Sequence, residues 1–115
     1  ETSWADDSAH EAVTAFRESG FLVSYYLPTE EALECGSLRS AGCDDLRDRV
    51  VDTATHGFSH LSFDARNYAF VESVRRRLPS RMRLLTWDLS QAWPRSDLIA
   101  DVDVYIVKFP HPHST

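Results

Sequence analysis

Apolar residues recur along this chain with two alternating periods, and that alternation predicts a series of α/β units. Two apolar runs stand out in the last third, Arg83–Asp88 and Val102–Phe109. Leu84, Leu85, Trp87, Val102, Val104, Ile106 and Val107 are aliphatic, aromatic or β-branched, and both runs have strand length. The connector between them holds Pro94 and a short helical pattern. It is too long for a hairpin and suits a crossover between parallel strands. Upstream, Phe21–Leu27, ended by Pro28, and Phe58–Phe63 read as two more strands.

Helical spacing fills the gaps. Ser8 and Glu11 form a capping-box pattern ahead of an apolar face of Ala12, Val13 and Phe16, and Gly20 stops that helix. Thr29 is the expected N-cap of the next helix, with Glu30 and Glu31 in its first turn. The segment Cys35–Cys43, with Gly36 and Gly42, reads as loop. Asp44 then opens a helix whose buried face is Leu46, Val50, Val51 and Ala54, closed by Gly57. Asp64 or Asn67 caps a further helix with a stripe of Tyr68, Val71, Val74 and Leu78, ended by Pro79.

The resulting order is helix, strand, helix, strand, helix, strand, short helix, strand. Such an order predicts an α/β fold with four parallel strands covered by helices. With the helices on one side it is half of a (β/α)8 barrel; with helices on both it is a small doubly wound parallel sheet. Residues 1–110 form a single α/β domain or a C-terminal half-barrel, and 111–115 are expected to be a disordered tail.

Composition narrows the function classes. A chain of 115 residues with 26% charged residues and a net charge of −6 is an ordinary globular composition. That charge argues against a general binder of nucleic acid or anionic membrane, which needs a positive field. No apolar run approaches the roughly 18 residues of a transmembrane helix. Glu1, Asp6, Asp7 and Glu11 make the start acidic, unlike a secretory signal, and the absence of Met at position 1 suggests a cut or processed terminus. The reading is of a soluble protein with no compartment assigned. Cys35 and Cys43 are too few for a metal site, and two free thiols are favoured over a disulfide across the short loop.

The segment Leu98–Pro110, LIADVDVYIVKFP, resembles the closing segment of the glycerophosphodiester phosphodiesterase family, in the phospholipase-C-like phosphodiesterase superfamily. That family typically ends its barrel with V-D-G-I-I-T-D-Y-P. Val102, Asp103, Ile106 and Pro110 coincide with it, and Phe109 stands at the family's aromatic. Thr86-Trp87-Asp88-Leu89-Ser90 is similar to the preceding strand end, usually W-T-V-N, and Phe63–Leu78 to the helix before it. The resemblance covers about the last half of the chain. It implies a barrel hydrolase of glycerophosphodiester-type or phospholipid-type phosphodiesters. It also implies two acid–base histidines and a divalent cation, Mg or Ca, held by acidic ligands on the first strands. No His-Arg-Gly and no Glu-x-Asp occurs here, and Lys108 and Ser90 stand where the family has an acidic or amide residue and an asparagine. The expectation is a C-terminal half that is inactive alone. It would be completed by a missing N-terminal half-barrel or a homodimer partner, with a small phosphodiester as substrate. The alternative is a free-standing, non-catalytic α/β binding module.

Function on such folds gathers at the carboxyl ends of the strands. The pocket candidates there are Asp64, Trp87, Asp88 and Lys108. Trp87 lines a pocket or fills a barrel end. Asp64 and Asp88 orient a substrate or ligate a metal, with a helix cap the more ordinary role for Asp64. Lys108 binds phosphate as a point charge or, as favoured, pairs with Asp64 or Asp88. No catalytic residue and no metal site is assigned. Asp101 and Asp103 lie at the opposite end. His56 and His60 have metal spacing broken by Gly57, and His111 and His113 fall in the tail. Arg75, Arg76, Arg77, Arg81 and Arg83 read as a solvated basic face rather than a nucleic-acid site.

Overall fold

The computed structural model describes residues 7–90 and 95–108. The predicted tail, the strand end at Phe109 and the connector around Pro94 lie outside them. Helix α1 spans Asp7–Glu18, β1 Ser24–Tyr26, α2 Thr29–Cys35, α3 Ala41–Ala54 and β2 His60–Asp64. A 3-10 turn at Ala65–Asn67 leads into α4, Tyr68–Val74, and a second at Arg75–Arg77 leaves it; β3 is Arg83–Asp88, α5 Ser96–Asp101 and β4 Val104–Val107. The sheet is four-stranded and entirely parallel, in the order β1-β2-β3-β4. None of the helices among the described residues is long and apolar enough to cross a membrane.

Register and alternation give the sheet two unlike faces. Leu61 pairs with Leu84, and Phe63 with Thr86, so these side chains share a face. Leu61, Phe63 and Leu84 belong to the core, together with Ala32 of α2, Val50 of α3, Phe70 and Val71 of α4 and Leu98 of α5. All four of those helices therefore pack on that one side. Consecutive parallel strands joined by right-handed crossovers produce this arrangement, because each helix returns over the same face. A doubly wound sheet needs a reversal of strand order; the described strands have none. The other face carries Tyr26, Ser62, Leu85, Trp87, Val104 and Ile106; among the described residues no helix of the core covers it, although Ser62 at its centre is buried. Tyr26 is 69% exposed and Ile106 49%.

Several local expectations are corrected. Helix α3 starts at Ala41, not Asp44: Ser40 is its N-cap, its hydroxyl accepting from the backbone N–H of Cys43 at 3.1 Å. Helix α2 begins at Thr29 itself, behind Pro28, without a side-chain cap. Helix α1 begins one residue before Ser8 and buries Val13, whereas Phe16 is exposed. It sits at the amino ends of the strands, where Arg17 Nη1 donates to Gly57 O at 2.6 Å. Gly57, at φ +96°, makes a turn that a side chain would strain, and so carries the chain from α3 into β2.

Cys35 and Cys43 form a disulfide, against the favoured reading of two free thiols. It fastens the end of α2 to the first turn of α3. Beside it lies Arg47, only 1% exposed on a helix otherwise read by its apolar stripe. Its Nε donates to Ser73 Oγ at 2.7 Å, Nη1 to Asp44 Oδ1 at 3.0 Å and Nη2 to Gly36 O at 2.9 Å. The guanidinium also stands 5.3 Å from the Phe70 ring centre. One buried cation thus ties α3 to α4 and to the disulfide loop.

Candidate active-site rim

The carboxyl ends of the strands bring the four predicted residues to one rim but not into one pocket. Trp87 is half-buried on the open face. With Tyr26, Leu27, Thr29, Leu85 and Ile106 it lines a shallow apolar cavity of about 510 Å³. Tyr26 and Trp87 meet edge to face, their ring centres 5.8 Å apart, a favoured aromatic geometry that fixes the indole. Such a wall suits the apolar part of a ligand.

Asp88 follows Trp87 on a strand, so its side chain turns to the opposite, helix-covered side. There Oδ1 accepts from the Ser90 backbone N–H at 3.0 Å and Oδ2 from the Tyr105 hydroxyl at 2.7 Å. The Ser90 hydrogen bonds, then that of Tyr105, hold its carboxyl below the usual carboxylate range. The Tyr105 hydroxyl is in turn pushed up, first by burial and then by Asp88. The shared Trp87–Asp88 pocket expected from sequence is therefore corrected to two neighbouring sites at the rim, the two side chains leaving β3 on opposite sides.

Asp64 is paired in register with Trp87. It caps the following 3-10 turn: Oδ1 accepts from the Arg66 backbone N–H at 2.9 Å and from Arg66 Nε at 3.2 Å, and Oδ2 from Nη2 at 3.0 Å. Burial pushes its carboxyl up, but the hydrogen bonds and charge of Arg66 outweigh that, and the net shift is downward. Asp64, Arg66, Asp88, Leu89 and Ser90 line a second, smaller cavity of about 260 Å³.

This pair of carboxylates is a poor cation site. Every Asp64 and Asp88 oxygen already accepts from a protein donor, and the Arg66 guanidinium occupies the same cavity. A hard divalent cation takes six or more oxygen ligands, and no cluster of three His, Cys, Asp or Glu suited to a metal exists among the described residues. The divalent cation implied by resemblance does not fit this donor set.

Lys108 follows β4, its backbone N–H donating to Asp88 O at 3.3 Å. The residue is exposed, and its ammonium forms no ion pair among the described residues, since Asp64 is held by Arg66 and Asp88 by neutral donors. The favoured ion pair with either aspartate is thus absent, and the charge is free for a ligand. Alternation places Lys108 on the side of Ile106 and Trp87.

Sequence reasoning missed a second gathering of polar groups at the other end of the sheet. In sequence, Arg81 and Arg83 read as part of a basic helix face and His60 as part of a broken metal pattern. Counting by twos would have joined them, because His60 and Arg83 are register partners at the starts of β2 and β3.

Comparison of the chain with family models, with curated proteins and with solved structures finds no match.

Proposed function

We propose that this chain is the C-terminal half of a phosphodiesterase-like barrel hydrolase, contributing the apolar wall and one cation of a site for glycerophosphodiester-type or phospholipid-type phosphodiesters. The observation that carries the reading is the one-sided sheet. Four parallel strands in sequential order carry helices on one face only, and leave β1 and β4 without outer partners among the described residues. Unpaired parallel edges flanking an apolar face call for more strands. Four more strands of the same kind close an eight-stranded barrel, whose functional end is the rim bearing Trp87 and Lys108.

Cleavage of a phosphodiester needs an aligned nucleophile, a group that takes its proton, and positive charge against the phosphoryl oxygens. Lys108 supplies part of the third requirement as a point charge. Tyr26, Trp87 and Ile106 supply a surface for the glycerol or acyl part, excluding water from one side of the phosphate. Asp64 and Asp88, fully hydrogen-bonded and held ionised, serve as struts that fix the strand ends. The proton-transfer groups belong to the completing strands. A second reading, a non-catalytic α/β module, draws on that same commitment of both aspartates to internal bonds.

Hydrolysis of glycerophosphocholine with Mg or Ca present separates the two readings. The chain alone is expected to be inactive. Joined to four further strands of a completing half-barrel, it is expected to turn over. Trp87→Ala should then raise KM, and Lys108→Ala should lower kcat/KM by about tenfold, the worth of one charge-assisted contact. A gene that encodes no such strands, or a completed protein that leaves phosphodiesters intact, refutes the enzyme reading and leaves the module.

A further inference from the structure

The amino ends of the strands hold a cavity of about 600 Å³ on the open face, with Arg17, His60, Arg81 and Arg83 on its polar wall and Leu22 and Val104 on its apolar one. It lies at the amino ends of the strands, the bottom rim of a completed barrel rather than its packed interior, and nothing in the phosphodiesterase reading of the opposite rim with Trp87 and Lys108 uses it. Its charge is unusual for this molecule. Arg39, Arg47, Arg49, Arg66, Arg75, Arg77 and Arg95 are each ion-paired with a carboxylate. Among the described residues, the arginines without one are Arg17, Arg76, Arg81 and Arg83, and all of these except Arg76 meet in this cavity. No carboxylate lines it among the described residues, although the chain carries a net charge of −6.

The cluster is built rather than incidental. Arg17 is anchored by its bond to Gly57 O, which leaves its other N–H groups free. His60 is 9% exposed, and its Nδ1 lies 3.0 Å from Ser59 Oγ. Ser59 Oγ in turn donates to Val23 O and accepts from Val23 N, both at 2.9 Å, so the imidazole is held by a fixed hydroxyl. Three guanidinium groups facing one opening repel each other, and an anion between them offsets that cost. Planar guanidinium forks match the oxygens of a phosphate.

We propose that this cavity binds a phosphate group carrying an apolar substituent, the phosphate between Arg17, Arg81 and Arg83 and the substituent on Leu22 and Val104. The same chemistry belongs to a soluble phosphate ester and to a phospholipid headgroup. Two arms separate these sources. In the first, phenyl phosphate is titrated into the chain by calorimetry. In the second, the chain is sedimented with phosphatidylcholine vesicles, with or without phosphatidic acid. Binding in either arm, weakened about tenfold by Arg83→Ser or Arg17→Ser and less than about twofold by Arg76→Ser, supports the site, on the scale of one charge-assisted hydrogen bond. Binding of phenyl phosphate alone assigns a soluble ester, and capture only by phosphatidic acid vesicles a headgroup. Absence of binding in both arms overturns the proposal. So does equal weakening by Arg76→Ser, which would mean diffuse charge rather than a site. Arg83 and Arg76 are both exposed, so their serine variants should melt with the parent, and Arg83→Lys should retain part of the binding.

Discussion

Replacing Arg47 with alanine is expected to destabilise the fold by about 3 kcal/mol, the scale for breaking a buried, hydrogen-bonded charge network. Three things go at once: the bond to Ser73 Oγ, the bond to Gly36 O, and the cover that the arginine stem and guanidinium give Phe70. Asp44 is 42% exposed at its side chain and also bonds Arg39, so it loses little when Arg47 is removed. The cost therefore lies in the cavity and in the orphaned Gly36 carbonyl. That division makes a sharper expectation. Arg47→Met refills the space and should recover a good part of the loss, whereas Arg47→Lys should recover less, because one ammonium cannot reach three acceptors arranged around a fork. Urea unfolding of the three variants checks this order. Equal midpoints for Arg47→Ala and the parent would mean that the arginine does not hold α3, α4 and the loop together.

The second large effect is expected from the disulfide. Cys35 and Cys43 are separated by 8 positions, and a loop of that size limits the unfolded chain by about 2.5 kcal/mol on the chain-entropy account. Reduction, or the double change Cys35→Ser with Cys43→Ser, should lower the melting temperature by roughly 10 °C, given the sensitivity of a domain of this size. A reduced chain that melts with the oxidised one contradicts the assignment. The two perturbations should not add. Arg47 grips the carbonyl of Gly36, the residue after Cys35, so opening the disulfide already loosens that grip, and the combined loss should fall short of the sum.

The parts of the fold that could be read from sequence are those governed by simple period. Strand β3 has its predicted bounds, because Leu84, Thr86 and Asp88 alternate with Arg83, Leu85 and Trp87 in both sequence and burial. The stripe of Val71 and Val74 on α4 and that of Leu46, Val50 and Ala54 on α3 are also buried as expected. What escaped depends on partners distant in sequence. Arg47, between Leu46 and Asp48, looks like any charged residue of an amphipathic helix, and only Ser73 and Gly36 make its burial tolerable. The disulfide required two helix ends to meet, which spacing does not dictate. At the rim, the identity of the residues was legible but their pairing was not. Lys108 was expected to meet an aspartate, yet Arg66 two positions after Asp64, and Tyr105 and Ser90 near Asp88, satisfy both carboxylates first. The opposite sides taken by Trp87 and Asp88 follow from the strand period alone and were open to prediction.

The same period explains why the open face matters most. Tyr26, Leu85, Trp87, Val104 and Ile106 all fall on the side that no core helix covers, between two edges that lack outer strands among the described residues. A natural monomer blunts such edges with short strands, charge, proline or a covering segment. Here β4, VYIV, and β1, SYY, are short, but neither carries a charge. That combination is the physical ground for treating the sheet as half of a larger one.

Sedimentation equilibrium of the isolated chain across the micromolar range, with hydrogen exchange on the same samples, tests this most directly. The half-barrel account predicts concentration-dependent self-association, with the outer amides of β1 and β4 becoming protected as the mass rises. A chain that remains a monomer throughout, with β1 and β4 stable on their own, would show that the sheet needs no completion and would contradict the account.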